Sequence, residues 1–185
     1  TYKYGATPSK TVSNVTLGKT RKAFVSWDNL DIVTGNRTIT ATYKTQFAPT
    51  IKSNYCTANR SSGAWYDSGT VITWTADDNY SFNGAAVKDT TKASITSGDA
   101  TYSATPGYIK CTISSTNCTA EPANGSIIQV GKSITYTANP NYSYTEHDTT
   151  ASNPPEHTVA LGKTSYSRSC DYALITVSGT NCSAN

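Results

Sequence analysis

Residues 50–82 read TIKSNYCTANRSSGAWYDSGTVITWTADDNYSF, and residues 112–144 read TISSTNCTAEPANGSIIQVGKSITYTANPNYSY. Aligned without a gap, the two stretches are identical at 15 of 33 positions. The identities include a cysteine (Cys56 and Cys118) and a tyrosine (Tyr80 and Tyr142). The chain therefore carries an internal repeat with a shift of 62 residues, and such a repeat is the primary clue to architecture.

Each copy of the repeat contains an alternating strand pattern. In the stretch VITWTA, Ile72, Trp74 and Ala76 fall on one face, and polar residues mostly occupy the other. Alternation of this kind, between turn signals such as SSG, DSG, FNG and ANG, predicts short strands joined by turns. Sustained helical periodicity is missing, so the sequence predicts an all-β fold. We expect Ile134 and Tyr136 to be buried like Ile72 and Trp74, and the repeated glycines to supply positive φ in turns.

The repeat also predicts the domain organisation, a tandem array of small β-rich modules of about 62 residues. Residues 46–107 and 108–173 form repeats 1 and 2, preceded by a smaller partial unit at 1–45. Residues 176–184 read TVSGTNCSA and restate TISSTNCTA of residues 112–120. We therefore expect residues 174–185 to be the first strand of a further, truncated unit.

Composition and motifs exclude several function classes. The chain has 15 Lys and Arg against 12 Asp and Glu, without a basic block, so a nucleic-acid partner is not predicted. Its apolar runs fall short of the roughly 18 residues that cross a bilayer, so membrane insertion of this segment is not predicted. The sequence carries no phosphate-binding glycine loop, nucleophile elbow or zinc-protease motif. We expect a protein that is not an enzyme and holds no cofactor.

Two histidines lie in a variable loop of the second repeat. His147 and His157 have Glu146, Asp148 and Glu156 nearby, which are residue types that bind metals. The corresponding loop of the first repeat has no histidine, and a zinc site needs three or four convergent ligands. The sequence therefore favours a solvated polar loop over a metal site.

The five cysteines, Cys56, Cys111, Cys118, Cys170 and Cys182, leave several arrangements open. Disulfides Cys56–Cys111 and Cys118–Cys170 would each tie the start of a repeat to its closing strand. Cys182 would then begin a third pair, with its partner beyond Asn185. The alternatives are a local Cys111–Cys118 bridge, or free thiols that act as small buried apolar residues. A reducing compartment favours the free thiols, and an oxidising one favours the pairings.

Trp65 and Tyr66 are the candidate ligand contacts. They occupy the least matched part of the repeat, where binding sites diverge, and aromatic rings stack on sugars. The alternative is that they pack in a small satellite core.

Residues 15–44, VTLGKTRKAFVSWDNLDIVTGNRTITATYK, resemble the InlB B-repeat (Listeria–Bacteroides repeat) family. The resemblance lies in 17–20 (LGKT), 24–27 (FVSW) and 38–43 (TITATY), with Ser26 where the family usually has glycine. GTVITWTADDNYSF and GKSITYTANPNYSY are similar to divergent members of that family, with asparagine replacing the usual glycine before the tyrosine. The resemblance implies grasp-like or sandwich-like β modules in tandem, as found in stalks, spacers or weakly adhesive surfaces of exposed bacterial or phage proteins.

These observations predict a non-enzymatic structural or display module. In this interpretation it is a stalk or spacer of a bacterial surface protein, or of a phage virion protein such as a fibre, decoration or tail. The partners would be neighbouring repeats or subunits, and the location extracellular, on the cell surface or on the virion surface. The alternative is an adhesin module that binds glycan or a host surface through its variable loops.

Overall fold

The computed structural model of this chain describes residues 2–144 and 156–173, together with Ile175 and Ser178. Its strands, in chain order, are β1 (Val15–Leu17), β2 (Thr20–Asp28), β3 (Thr40–Phe47), β4 (Thr50–Ser53), β5 (Cys56–Ala58), β6 (Tyr66–Asp67), β7 (Val71–Ala76), β8 (Tyr80–Ser81), β9 (Thr90–Ser94), β10 (Thr101–Ala104), β11 (Tyr108–Lys110), β12 (Thr112–Thr116), β13 (Cys118–Glu121), β14 (Ile127–Gln129), β15 (Ser133–Ala138), β16 (Tyr142–Ser143), β17 (Glu156–Thr158), β18 (Ser165–Ser169) and β19 (Tyr172–Ala173).

The predicted all-β fold class is confirmed. Among the described residues no helix occurs, and the strands form small sheets of two to four members. Accordingly, the described part of the chain contains no helix that could span a membrane.

The chain divides into two compact units that interleave along the sequence. The first unit comprises residues 1–75 and 91–104, and the second comprises residues 76–90 and 105–185. The excursion of residues 76–90 into the second unit places β8 beside β11, with which it pairs. The predicted domain limits at 1–45, 46–107, 108–173 and 174–185 follow the sequence repeat and stay a prediction.

The N-terminal segment folds as an antiparallel sheet in the first unit, in the order β1-β2-β3-β6. The long strands β2 and β3 pair from Thr20 opposite Phe47 to Asp28 opposite Thr40, with a register shift between Phe24 and Ser26. This hairpin corresponds to the stretch in which the family resemblance was found.

In each unit, two strands far apart in sequence pair in parallel. In the first unit β4 pairs with β10, and Thr50 lies opposite Thr101. In the second unit β12 pairs with β18, and Thr112 lies opposite Ser165. The strand that opens each repeat therefore lies beside the strand that closes it.

The alternating strand of each repeat is the centre of a three-stranded sheet, β5-β7-β9 in one case and β13-β15-β17 in the other. Ile72 and Ile134 are completely buried, and Trp74 and Tyr136 are almost or completely buried. Val71, next to Ile72 in β7, remains 42% exposed. The predicted burial at matching positions is confirmed, because alternate side chains of a strand point to opposite faces.

The turns follow the same pattern in both repeats. Gly69 has φ 86° and Gly131 has φ 89°, which confirms the predicted positive φ at the repeated glycines. Asn79 and Asn141 also have positive φ, 67° and 70°. Asparagine tolerates this left-handed conformation better than most residues, which explains why it can stand where the resembled family has glycine.

Candidate functional site

Strand β11 lies at the start of repeat 2, just before the matched stretch that opens at Thr112, and is the central strand of the sheet β14-β11-β8 in the second unit. We call it and its counterparts β3 and β19 connecting strands. Ile109 lies opposite Tyr80 of β8 on one side and Ile128 of β14 on the other. Its side chain is completely buried, in the same apolar cluster as those two residues. In the sequence, β8 belongs to repeat 1 and β14 to repeat 2. One strand therefore joins backbone segments of both repeats.

A second connecting strand, β3, makes the equivalent pairing in the first unit. Phe47 lies opposite Tyr66 of β6, just as Ile109 lies opposite Ile128 of β14. Each residue of the first pair precedes its counterpart by 62 positions. The register is therefore the same at both places, although the side chains differ.

A third connecting strand, β19, lies at the end of repeat 2. Its pairing with β16 puts Ala173 opposite Tyr142, as Ile109 lies opposite Tyr80. Within the described residues β19 is paired on this side alone, and Tyr172 is 42% exposed. The side of β19 that corresponds to the β14 side of β11 is thus unpaired in the described chain.

Sequence reasoning missed the short connecting strands β11 and β19, although a signal was present. Phe47, Ile109 and Ala173 each stand three residues before a threonine that opens the next repeat (Thr50, Thr112 and, outside the described residues, Thr176). Strands of two or three residues are too short to show alternation, so only the fixed spacing could have revealed them.

Trp65 and Tyr66, the predicted ligand contacts, are half-buried, and both side chains contact other residues of the first unit. The guanidinium of Arg21 lies 4.5 Å from the centre of the Trp65 ring. The Tyr66 hydroxyl accepts a hydrogen bond from the Ser61 N–H (2.8 Å) and donates one to the Ser61 carbonyl (3.0 Å). Both rings therefore pack against the protein, and their role in binding a ligand stays a prediction.

A polar network surrounds these rings. Arg21 Nε donates to Gln46 Oε1 (2.8 Å), and Gln46 Nε2 donates to Asp67 Oδ1 (2.6 Å). Lys44 Nζ forms an ion pair with Asp67 Oδ2 at 2.9 Å. The hydrogen bond from Gln46, followed by that from Lys44, lowers the pKa of Asp67 below its ordinary value. The network fastens β2, β3 and β6 side by side.

His157 serves as a packing residue. Its Nε2 lies 3.2 Å from the Ser167 carbonyl oxygen, and its ring packs edge-on against Tyr136 at 5.5 Å. His147, Glu146 and Asp148 lie outside the described residues. In the described part of the chain, no three His, Cys, Asp or Glu residues are grouped as metal ligands would be.

The structure shows no disulfide between Cys56 and Cys111 or between Cys118 and Cys170, and all four side chains are buried. The two pairings stay a prediction. Cys56 and Cys111 belong to different compact units. The Cys56 thiol donates to the Ala104 carbonyl (3.3 Å), whereas the Cys111 thiol donates to the Ile109 carbonyl (3.6 Å). The rival Cys111–Cys118 bridge is not formed either, and Cys182 lies outside the described residues.

The two repeat cysteines have the same structural role. Cys118 Sγ donates to the Arg168 carbonyl (3.6 Å), and Cys56 Sγ donates to the Ala104 carbonyl in the equivalent place. Both carbonyls belong to the closing strands, β18 and β10. Each thiol thereby links the beginning of a repeat to its end without a covalent bond.

Burial makes these thiols poor nucleophiles. It raises the pKa of Cys111 and of Cys170 above the ordinary value, because a buried thiolate loses its hydration. The Tyr144 hydroxyl lies against the thiols of Cys170 and Cys118 without a well-formed hydrogen bond, and its pKa is also raised, mainly by burial. These three cysteines belong to the apolar core of the second unit, and Tyr144 packs against it.

A polar groove of about 500 Å³ opens on the second unit beside β12 and β18. It is lined by Ser114, Thr116, Tyr144, Ser167, Arg168, Ser169 and Asp171. The Arg168 guanidinium lies 5.8 Å from the centre of the Tyr144 ring. Hydroxyls, one cation, one carboxylate and an aromatic ring can bind a polar ligand.

Comparison of the chain with protein-family models, with curated proteins and with solved structures finds no match.

Proposed function

We propose that this chain is a non-enzymatic structural module, a tandem β-repeat stalk or spacer of an exposed bacterial surface protein or phage virion protein. The observation that carries the proposal is β11, which pairs with a strand of each repeat on its two sides. Backbone pairing across a repeat boundary is the kind of nearest-neighbour interface that stabilises repeat arrays. The resemblance to InlB B-repeats supports the exposed setting.

The partners in this proposal are further repeats or neighbouring subunits. The edge of β19 supports this: among the described residues it has no partner strand on the side at which β11 pairs with β14. An unpaired strand edge readily takes up another strand, and addition of a strand is a common mode of protein recognition.

Antibody labelling tests the exposed setting. Antibodies raised against the purified chain should label intact cells or virions of the source. A matched labelling of lysates provides the total signal. Labelling that appears only after lysis would contradict the proposal.

A glycan-binding or host-surface-binding module is the second candidate, favoured by the polar groove with Arg168 above Tyr144. A glycan array probed with the chain, with Arg168→Ala and with Trp65→Ala distinguishes the sites. Loss of binding in Arg168→Ala alone would assign binding to the groove, and loss in Trp65→Ala alone would assign it to Trp65. Absence of binding by the parent chain would leave the structural module as the better account.

A further inference from the structure

The parallel strand pairs define how each unit would respond to tension. β12 enters its pair from the N-terminal side of the chain, and β18 leaves toward the C-terminal side. The pair covers five positions, from Thr112 opposite Ser165 to Thr116 opposite Ser169. Since the strands are parallel, opposite pulls on the chain ends slide one strand along the other.

Sliding loads all bonds of the pair at the same time. If the strands instead separated from one end, their bonds would break one after another, each under the full load. Parallel strands have evenly spaced bonds, so a sliding load is shared across the pair. The rate of forced unfolding depends on the barrier to breaking such a group of bonds.

Backbone hydrogen bonds join β12 and β18 at both ends of the pair. The Thr112 N–H donates to the Thr164 carbonyl (2.7 Å), and the Cys170 N–H donates to the Thr116 carbonyl (3.0 Å). Between them, the Ile113 N–H turns away and donates to Asn124 Oδ1 (2.9 Å). Successive N–H groups of a strand point in opposite directions, so the Ser114 N–H faces β18 and the Ser115 N–H faces away.

Further contacts fasten the C-terminal end of this pair. Asn117 Nδ2 donates to the Cys170 carbonyl (3.2 Å), and the Cys118 thiol donates to the Arg168 carbonyl. Ile113 and Tyr166, which lie opposite each other, are about 95% buried. Water therefore has little access to the bonds from that face.

The first unit repeats the arrangement. The Thr50 N–H donates to the Ala100 carbonyl (3.2 Å), and the Asn54 N–H donates to the Ala104 carbonyl (3.1 Å). The Ile51 N–H turns away and donates to Ser62 Oγ (3.1 Å), as Ile113 does to Asn124. β4 and β10 thus form a second parallel pair, in which Thr50 donates to the closing strand as Thr112 does.

We propose that β4/β10 and β12/β18 are mechanical clamps, which make each unit resist tension applied along the chain. This function goes beyond that of a spacer, since a spacer needs only length. It also does not depend on which exposed protein contains the chain, so the antibody test and the test below can fail independently.

Single-molecule pulling of the full chain by its two ends tests the clamps. End-to-end pulling should give two high-force unfolding events, one for each pair. Handles placed at Lys110 and Lys163 instead pull the same ends of β12 and β18 apart, so their bonds break in succession. The force should then be several times lower. Equal forces in the two directions would overturn the proposal.

A matched pair of variants locates the resistance. Ser114→Pro removes an N–H that faces β18, and Ser115→Pro removes one that faces away. Both side chains are exposed. Ser114→Pro should lower the force of one event and leave the other, whereas Ser115→Pro should keep both. Variants with equal forces would contradict the clamp. If circular dichroism shows Ser114→Pro to be unfolded, the two pulling directions on the parent chain decide alone.

Discussion

Ile134 illustrates how single residues of the repeat determine stability. Its side chain is completely buried in β15, next to Tyr136 and within the apolar cluster of the second unit. The sequence predicted this position, because alternation in a strand of six residues assigns each side chain to one face.

Ile134→Ala should lower the free energy of unfolding by about 2 to 5 kcal/mol, through lost burial and the cavity left behind. Val71→Ala, at a half-exposed position of β7, should cost about 1 kcal/mol or less. Urea denaturation followed by far-ultraviolet circular dichroism, which reports on the strands of both units, measures both losses. Equal losses in the two variants would show that the assigned faces are wrong.

Gly131 occupies a position whose backbone conformation favours glycine. Its φ is 89°, and a Cβ added there would meet no atom within 4 Å. Gly131→Ala should therefore destabilise by about 1 to 2 kcal/mol through the strained conformation alone. Gly107, which has open space and no such φ, provides the control, and Gly107→Ala should be close to neutral. Thermal denaturation compares the stabilities of the two variants. A Gly131→Ala variant as stable as the parent chain would contradict the positive φ assigned to this turn.

The buried thiols predict a dependence of stability on pH. In the unfolded chain a cysteine has an ordinary pKa near 9.0, and burial raises the pKa of Cys111 and Cys170 above it. The folded state then holds protons that the unfolded state has released. The stabilisation is present below pH 9 and is lost as pH rises toward the folded pKa.

The urea midpoint, measured under reducing conditions, should consequently fall between pH 8 and pH 10. Cys111→Val removes one of these thiols and should flatten the decline. A midpoint that rises over this range would contradict the assigned burial of the thiols.

At the scale of elements, the sequence predicted the strands that are long enough to alternate, such as β7 and β15. It did not predict the parallel pairs, because β12 and β18 are joined by contacts between residues about 50 positions apart, which no local pattern encodes. It also left the cysteines undecided. Disulfide formation requires two cysteines close in space, and their sequence spacing does not determine that distance.

The connecting strand β11 should transmit a local change to both of its neighbours. Ile109 packs with Tyr80 and Ile128, so Ile109→Ala should speed amide hydrogen exchange in β8 and β14 together. Lys110→Ala changes an exposed side chain of the same strand and should leave both exchange rates unchanged. Faster exchange in only one neighbour would show that β11 does not couple the two.

Across the whole molecule, one strand pairing recurs. The connecting strands β3, β11 and β19 each precede the opening of a repeat and pair at equivalent registers. A shift of one residue would turn each buried side chain toward the opposite face, so the register is a sensitive property of the fold. The proposed structural function rests on this recurrence.

Nuclear Overhauser spectroscopy of the labelled chain detects this recurring pairing. We expect cross-strand contacts between Ile109 and both Ile128 and Tyr80, and the equivalent contact between Phe47 and Tyr66. Contacts displaced by one residue, or present in one repeat and missing in the other, would contradict it.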